Sequence, residues 1–148
     1  MAWYEIEHSC GHTEMVQIYG TNVHGEREHE AAWMASKPCR ECQHKAERAR
    51  AEEVEAEVEM CELDGSPKQV TWARCIRAQM WDALGSQLAE MRERATDLDG
   101  FERDSDSVRE WLRSQQDASW FIDHRGSSKD PLWLLADEVS RARKAARK

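Results

Sequence analysis

Two pairs of metal-ligating side chains constrain this chain more than anything else in it: Cys10-x-His12 and, further on, Cys39-x-x-Cys42. Zinc is held by four thiolate or imidazole ligands in a tetrahedron. A lone Cys-x-x-Cys has several uses, whereas a second pair elsewhere in the chain marks a metal site. Cys10, His12, Cys39 and Cys42 are therefore the expected ligands of one structural Zn2+. His8 is the rival to His12, because residues 8, 10 and 12 share one face of a strand. It would either replace His12 or support it from behind. A redox Cys-x-x-Cys would follow a strand in a βαβ pattern, and none flanks Cys39. Cys61 and Cys75 fall on or beside apolar helical stripes and read as core thiols.

The local pattern around the ligands suggests how they meet. Residues 3–7 and 14–19 alternate in polarity, with glycine between them at Gly11. That predicts a β-hairpin whose tip carries Cys10 and His12. Residues 26–36 predict a short helix that stops before Lys37-Pro38, since a residue preceding proline disfavours helix. Cys42 then opens a long helical pattern, residues 42–63, rich in Ala, Glu and Arg. Two ligands from a hairpin tip and two from a helix start resemble a treble-clef or zinc-ribbon arrangement, covering residues 3–50.

The remainder predicts helices. Val54, Val58 and Cys61 form one narrow stripe in the long helix. Asp64-Gly65 ends it, and Ser66-Pro67 starts another as cap and first turn. Val70, Ala73, Ile76, Met80, Leu84, Leu88 and Met91 recur every three or four residues, with Gly85 as a point of interruption. Residues 96–107 read as a polar connection. A helix over 107–116 turns Val108, Trp111 and Leu112 inward, and a short one follows Asp117 with Trp120, Phe121 and Ile122. Gly126-Ser127-Ser128 reads as a loop, and Asp130-Pro131 as the cap of a last helix. The expected fold is mainly α: a small zinc-bound β-hairpin module at 1–45, an acidic linking helix at 46–64 and a helical domain at 65–148.

Charge narrows the partners. The net charge is -8 over 148 residues, which opposes broad nucleic-acid binding. It is unevenly spread. Residues 46–64 carry eight acids and two bases, while 65–80 carry Lys68, Arg74 and Arg77 and no acid. The tail adds Arg141, Arg143, Lys144, Arg147 and Lys148. No apolar stretch approaches the roughly 20 residues of a membrane span. The first residues lack a basic region followed by an apolar run, so a cytoplasmic location is expected.

The stretch Gly65-Ser66-Pro67-Lys68-Gln69-Val70-Thr71-Trp72-Ala73-Arg74-Cys75-Ile76-Arg77 resembles a motif in small proteins of bacteria, phages and mobile elements. Those proteins pair Cys-Gly-His and Cys-x-x-Cys with Gly-Ser-x-Lys-Gln-x-x-Trp-Ala-x-x-Ile-Arg. A later Trp-Ile-Asp-x-Arg-like element is matched here by Trp120-Phe121-Ile122-Asp123-His124-Arg125. The resemblance spans most of residues 5–125. It implies the architecture and a mobile-element origin, and no activity.

Three functional readings follow. The first is a non-enzymatic, zinc-stabilised interaction protein that binds a protein or nucleoprotein partner, as a mobile-element accessory or an inhibitor countering host defence. Its acidic helix would dock on a basic surface. The second is a direct nucleic-acid binder using Lys68, Gln69, Trp72, Arg74, Arg77 and Arg125, by charge and stacking at a helix N-terminus, together with the basic tail. The third is a zinc deaminase-like enzyme. His12-Thr13-Glu14 and Pro38-Cys39-x-x-Cys42 match the two halves of its signature, but that reading leaves Cys10 unexplained. Four protein ligands close the metal shell, where a catalytic site keeps one position open.

Overall fold

The computed structural model describes all of residues 1–148. It divides into two units, Met1–Glu47 and Arg48–Lys148. The first holds a hairpin of β1 (Ala2–Glu7) and β2 (Thr13–Ile18), then helix α1 (Glu26–Ala35). Helix α2 (Arg40–Glu57) begins in this unit, and the division falls inside it. The strands pair antiparallel, with Trp3 opposite Gln17, Glu5 opposite Met15 and Ile6 opposite Glu14. Period-two alternation turns Ile6 and Ile18 inward, and His8 beyond β1 is buried as well. The Tyr4 hydroxyl donates to Glu28 of α1 at 3.0 Å. Two buried isoleucines are a meagre core for 47 residues, well below what an unsupported module needs.

The second unit is mainly helical. It contains α3 (Pro67–Arg94), α4 (Leu98–Ser114), α5 (Ala118–Asp123) and α6 (Leu132–Ala146), with a 3-10 turn at Arg125–Ser127. Its core joins Ala73, Ile76, Met80, Leu84 and Leu88 of α3 to Val108 and Leu112 of α4. Ala118 and Phe121 of α5 and Leu132, Leu135 and Val139 of α6 complete it. A second small cluster sets Ala51 and Val54 of α2 against Ala78 of α3, with Cys75 packed at its side. The Arg50 guanidinium closes that contact through two bonds to Asp82, at 3.0 and 2.8 Å. No helix is long and apolar enough to cross a membrane.

Four expectations change. The long acidic helix ends at Glu57 rather than near residue 63. The following residues extend alongside the end of α4, where Cys61 N–H donates to Arg113 C=O at 3.0 Å and Asp64 N–H to Gln116 C=O at 2.7 Å. Backbone pairing there outweighs the helix propensity of Glu59 and Glu62. Gly85 does not interrupt α3, which runs unbroken for 28 residues. Gly85 is solvent-exposed, so its cost is only about 1 kcal/mol of propensity, and buried Leu84 and Leu88 hold the helix around it.

The stretch 96–107 is no connection, because α4 begins at Leu98. Asp97 caps it by accepting from Gly100 N–H at 3.0 Å. Phe101, Ser105, Val108 and Leu112 then fall on one face at helical spacing. Finally, Asp130 does not cap α6. Gln87 of α3 reaches across instead. Its Oε1 accepts from Leu132 N–H at 3.1 Å, and its Nε2 donates to the Asp130 carboxylate.

Candidate metal centre

The hairpin tip is a tight turn. His8 N–H donates to His12 C=O and Gly11 N–H to His8 C=O, both at 2.9 Å. Gly11 sits at φ 85°, a left-handed conformation that side chains resist. The turn brings Cys10 and His12 to one end of the hairpin. Lys37-Pro38 stops the chain after α1, and Cys39 and Cys42 follow at the start of α2. Ser9 N–H donates to Lys37 C=O at 3.1 Å, tying the two ligand loops together.

The result is one cluster. The ligand atoms of Cys10, His12, Cys39 and Cys42 all lie within 4.8 Å of one another. His12 Nδ1 stands 3.4 Å from Cys10 Sγ, 3.5 Å from Cys39 Sγ and 3.3 Å from Cys42 Sγ. In a tetrahedral zinc site, bonds of about 2.3 Å to sulfur and 2.0 Å to nitrogen place S and N about 3.5 Å apart. The spacing fits, and none of the five cysteines is in a disulfide. Three sulfurs and an imidazole form a metal-binding group whose chemistry is consistent with zinc.

The electrostatics point the same way. Cys39 N–H donates to Cys10 Sγ at 3.3 Å. That bond, with a further backbone contribution at His12, lowers the Cys10 thiol to about 6. The Cys42 thiol is raised to about 11, chiefly by its contact with Cys39. Thiolates this close repel one another, and a shared cation relieves that repulsion.

His8 is not a ligand. Its Nε2 lies 2.7 Å from Glu14 Oε1, and its Nδ1 lies 3.1 Å from both Met34 C=O and Lys37 C=O. The Glu14 hydrogen bond raises its pKa above the ordinary imidazole value, against the opposing effect of burial. His8 thus pins the end of α1 and the loop before Cys39 to the hairpin. Glu14 is engaged as its partner.

The six residues read as a partner surface have divided fates. Arg77 is 3% exposed and donates to Cys61 C=O and Glu55, each at 2.8 Å. Arg74 grips the same Glu55 carboxylate through Nε and Nη2. Gln69 and Ser66 cap α3 reciprocally, at 3.0 and 3.3 Å. Gly65 fits closely against α5, since a Cβ there would meet Ala118 Cβ at 3.0 Å. Arg74, Arg77 and Gln69 therefore serve the fold, as do Gly65, Ser66, Ala73 and Ile76 of the same stretch. Lys68 and Trp72 stay exposed, and the Arg125 guanidinium lies 5.6 Å from the Trp72 ring centre. Sequence reasoning missed Glu55 because its neighbours Glu52, Glu53 and Glu57 look identical to it in a charged run. Of the two expectations for His8, replacing His12 or supporting it from behind, the structure shows the supporting one.

No protein-family model, curated protein or solved structure matches this chain.

Proposed function

We propose that this is a non-enzymatic interaction module held together by one structural zinc ion, binding a protein or nucleoprotein partner. The observation that carries the reading is the gathering of four candidate ligand atoms within 4.8 Å of one another. Such a set fills the shell of zinc and leaves no position for a reacting water. A meagre core around it gives the metal a structural task. Glu14, the general acid and base of the deaminase reading, is instead engaged by His8 at 2.7 Å. The resemblance to small phage and mobile-element proteins favours an accessory or defence-countering role, and the net charge of -8 favours a basic protein surface as partner.

Metal analysis and an activity assay on the purified protein test this together. One zinc per chain is expected, lost in Cys39→Ser, with no deamination of cytidine or adenosine. Turnover that disappears in a folded Glu14→Gln variant would overturn the reading. A second reading, direct binding of single-stranded nucleic acid, is favoured by exposed Trp72 with Lys68 and Arg125 beside it. It is weakened by the loss of Arg74 and Arg77 to Glu55. Fluorescence polarisation with single-stranded DNA separates the two. Direct binding would weaken steeply with salt and with Lys68→Ala or Trp72→Ala.

A further inference from the structure

The hairpin has two faces, and only one has a partner. Tyr4, Ile6, Val16 and Ile18 alternate onto the face that meets α1. The opposite face carries Trp3, Glu5 and Glu7 on β1 and Thr13, Met15 and Gln17 on β2. Alternation adds Met1 and Tyr19 at its open end, where the Tyr19 hydroxyl donates to Gln17 Oε1 at 2.5 Å. Trp3 is 62% exposed, Met15 58% and Tyr19 66%. Trp3 has no ring or cation contact, unlike Trp33 of α1, whose ring is covered by Lys37 Nζ at 3.6 Å. Exposed apolar groups gathered on one face mark interaction sites, and Trp, Tyr and Met are the types that interfaces favour.

Charge selects the occupant. The face carries two charged side chains, Glu5 and Glu7, both acidic and neither in an ion pair. The unit around it has eight acids against four bases. A second copy would set these carboxylates against each other, and phosphate backbones or anionic lipids would be repelled. We propose that the outer face of β1 and β2 docks a protein surface whose apolar centre is framed by lysine or arginine. Trp3, Met15 and Tyr19 anchor it, and Glu5 and Glu7 select the basic rim. This rests on the interaction-module reading and gives that module its surface.

The test uses the full zinc-loaded chain and a short peptide alternating leucine and lysine, followed by amide NMR. Shifts confined to residues 1–19 are expected. Affinity should fall about ten-fold or more in Trp3→Ser with Tyr19→Ser, as for loss of anchor residues. It should fall on the order of five-fold in Glu5→Lys with Glu7→Lys, and less at high salt. These side chains are exposed, so unchanged zinc content and an unchanged spectrum for the rest of the unit confirm folding in each variant. Equal binding of a leucine and glutamate peptide overturns the proposal. So does binding that survives the Trp3 and Tyr19 changes, or shifts that map to residues 48–148. Sedimentation as a dimer that Trp3→Ser dissociates would make a second copy the occupant, and would overturn it too. Each of these results leaves the module reading in place, whereas turnover by the loaded protein would sink that reading instead.

Discussion

His8 and Glu55 each organise the unit they sit in, and neither contacts the metal ligand atoms. His8 holds two carbonyls at the end of α1 and just beyond it, and fixes the loop that delivers Cys39. His8→Ala should leave all four ligands in place yet lower zinc affinity on the order of ten-fold, because supporting residues keep ligands aimed. Competition against a chelating dye would measure it, and an unchanged affinity would refute the bracing role. Glu55 neutralises two arginines, one of them buried. Glu55→Gln leaves Arg77 without its counter-charge and should cost about 2–3 kcal/mol in denaturant unfolding. The same pair sets an acid dependence. The Arg74 hydrogen bond, followed by that from Arg77, holds the Glu55 carboxyl below its ordinary value of 4.5. A depressed folded-state pKa contributes stability that is fully present above the ordinary value and lost as pH falls through the lowered one. The wild-type protein should therefore lose stability below about pH 4.5 more steeply than Glu55→Gln.

At the scale of elements, helix ends decide where this chain turns. α3 opens with a complete capping box from Ser66 and Gln69, with Pro67 at its first position and a close-fitting Gly65 before the cap. α4 and α5 open on Asp97 and Asp117. α6 has no cap of its own and borrows Gln87 from the C-terminal third of α3. Gln87→Ala should thus act as a cap deletion, although the residue lies forty-five positions from the helix it caps. A loss of about 1 kcal/mol is expected. Hydrogen exchange should quicken at the first turn of α6 before it quickens in α3. Uniform exchange throughout the unit would show that the bond does not fix that helix end.

For the molecule as a whole, stability is divided. Residues 48–148 contain a continuous core from Ala73 to Val139, and residues 1–47 bury little beyond Ile6 and Ile18. A domain without a core depends on its metal. Chelation should therefore collapse the dispersed amide signals of residues 1–47 while those of α3 to α6 persist. Signals of both units vanishing together would show that the helical unit also depends on the ion. Acid should mimic chelation, since protons compete for the three thiolates.

The sequence by itself determined the grouping of Cys10, His12, Cys39 and Cys42, the hairpin, the order of most helices and the cap at Ser66. Each of these rests on spacing or alternation within a few residues, which survives in one dimension. The ligand pairs lie far apart in the chain, but their chemistry is rare enough to be matched without geometry. Only the tertiary structure decided what the charged and mid-helix polar groups do. Glu55 differs from Glu52 by facing two arginines, Arg77 from Lys68 by being buried, and His8 from His12 by meeting carbonyls rather than sulfur. The end of α2 at Glu57 and the start of α4 at Leu98 belong with these. The first depends on backbone pairing with distant residues at and just beyond the end of α4, and the second on a face completed by Ser105. A long-range partner has no signature in the local pattern, because the energy that selects it exists only once the chain has folded back on itself.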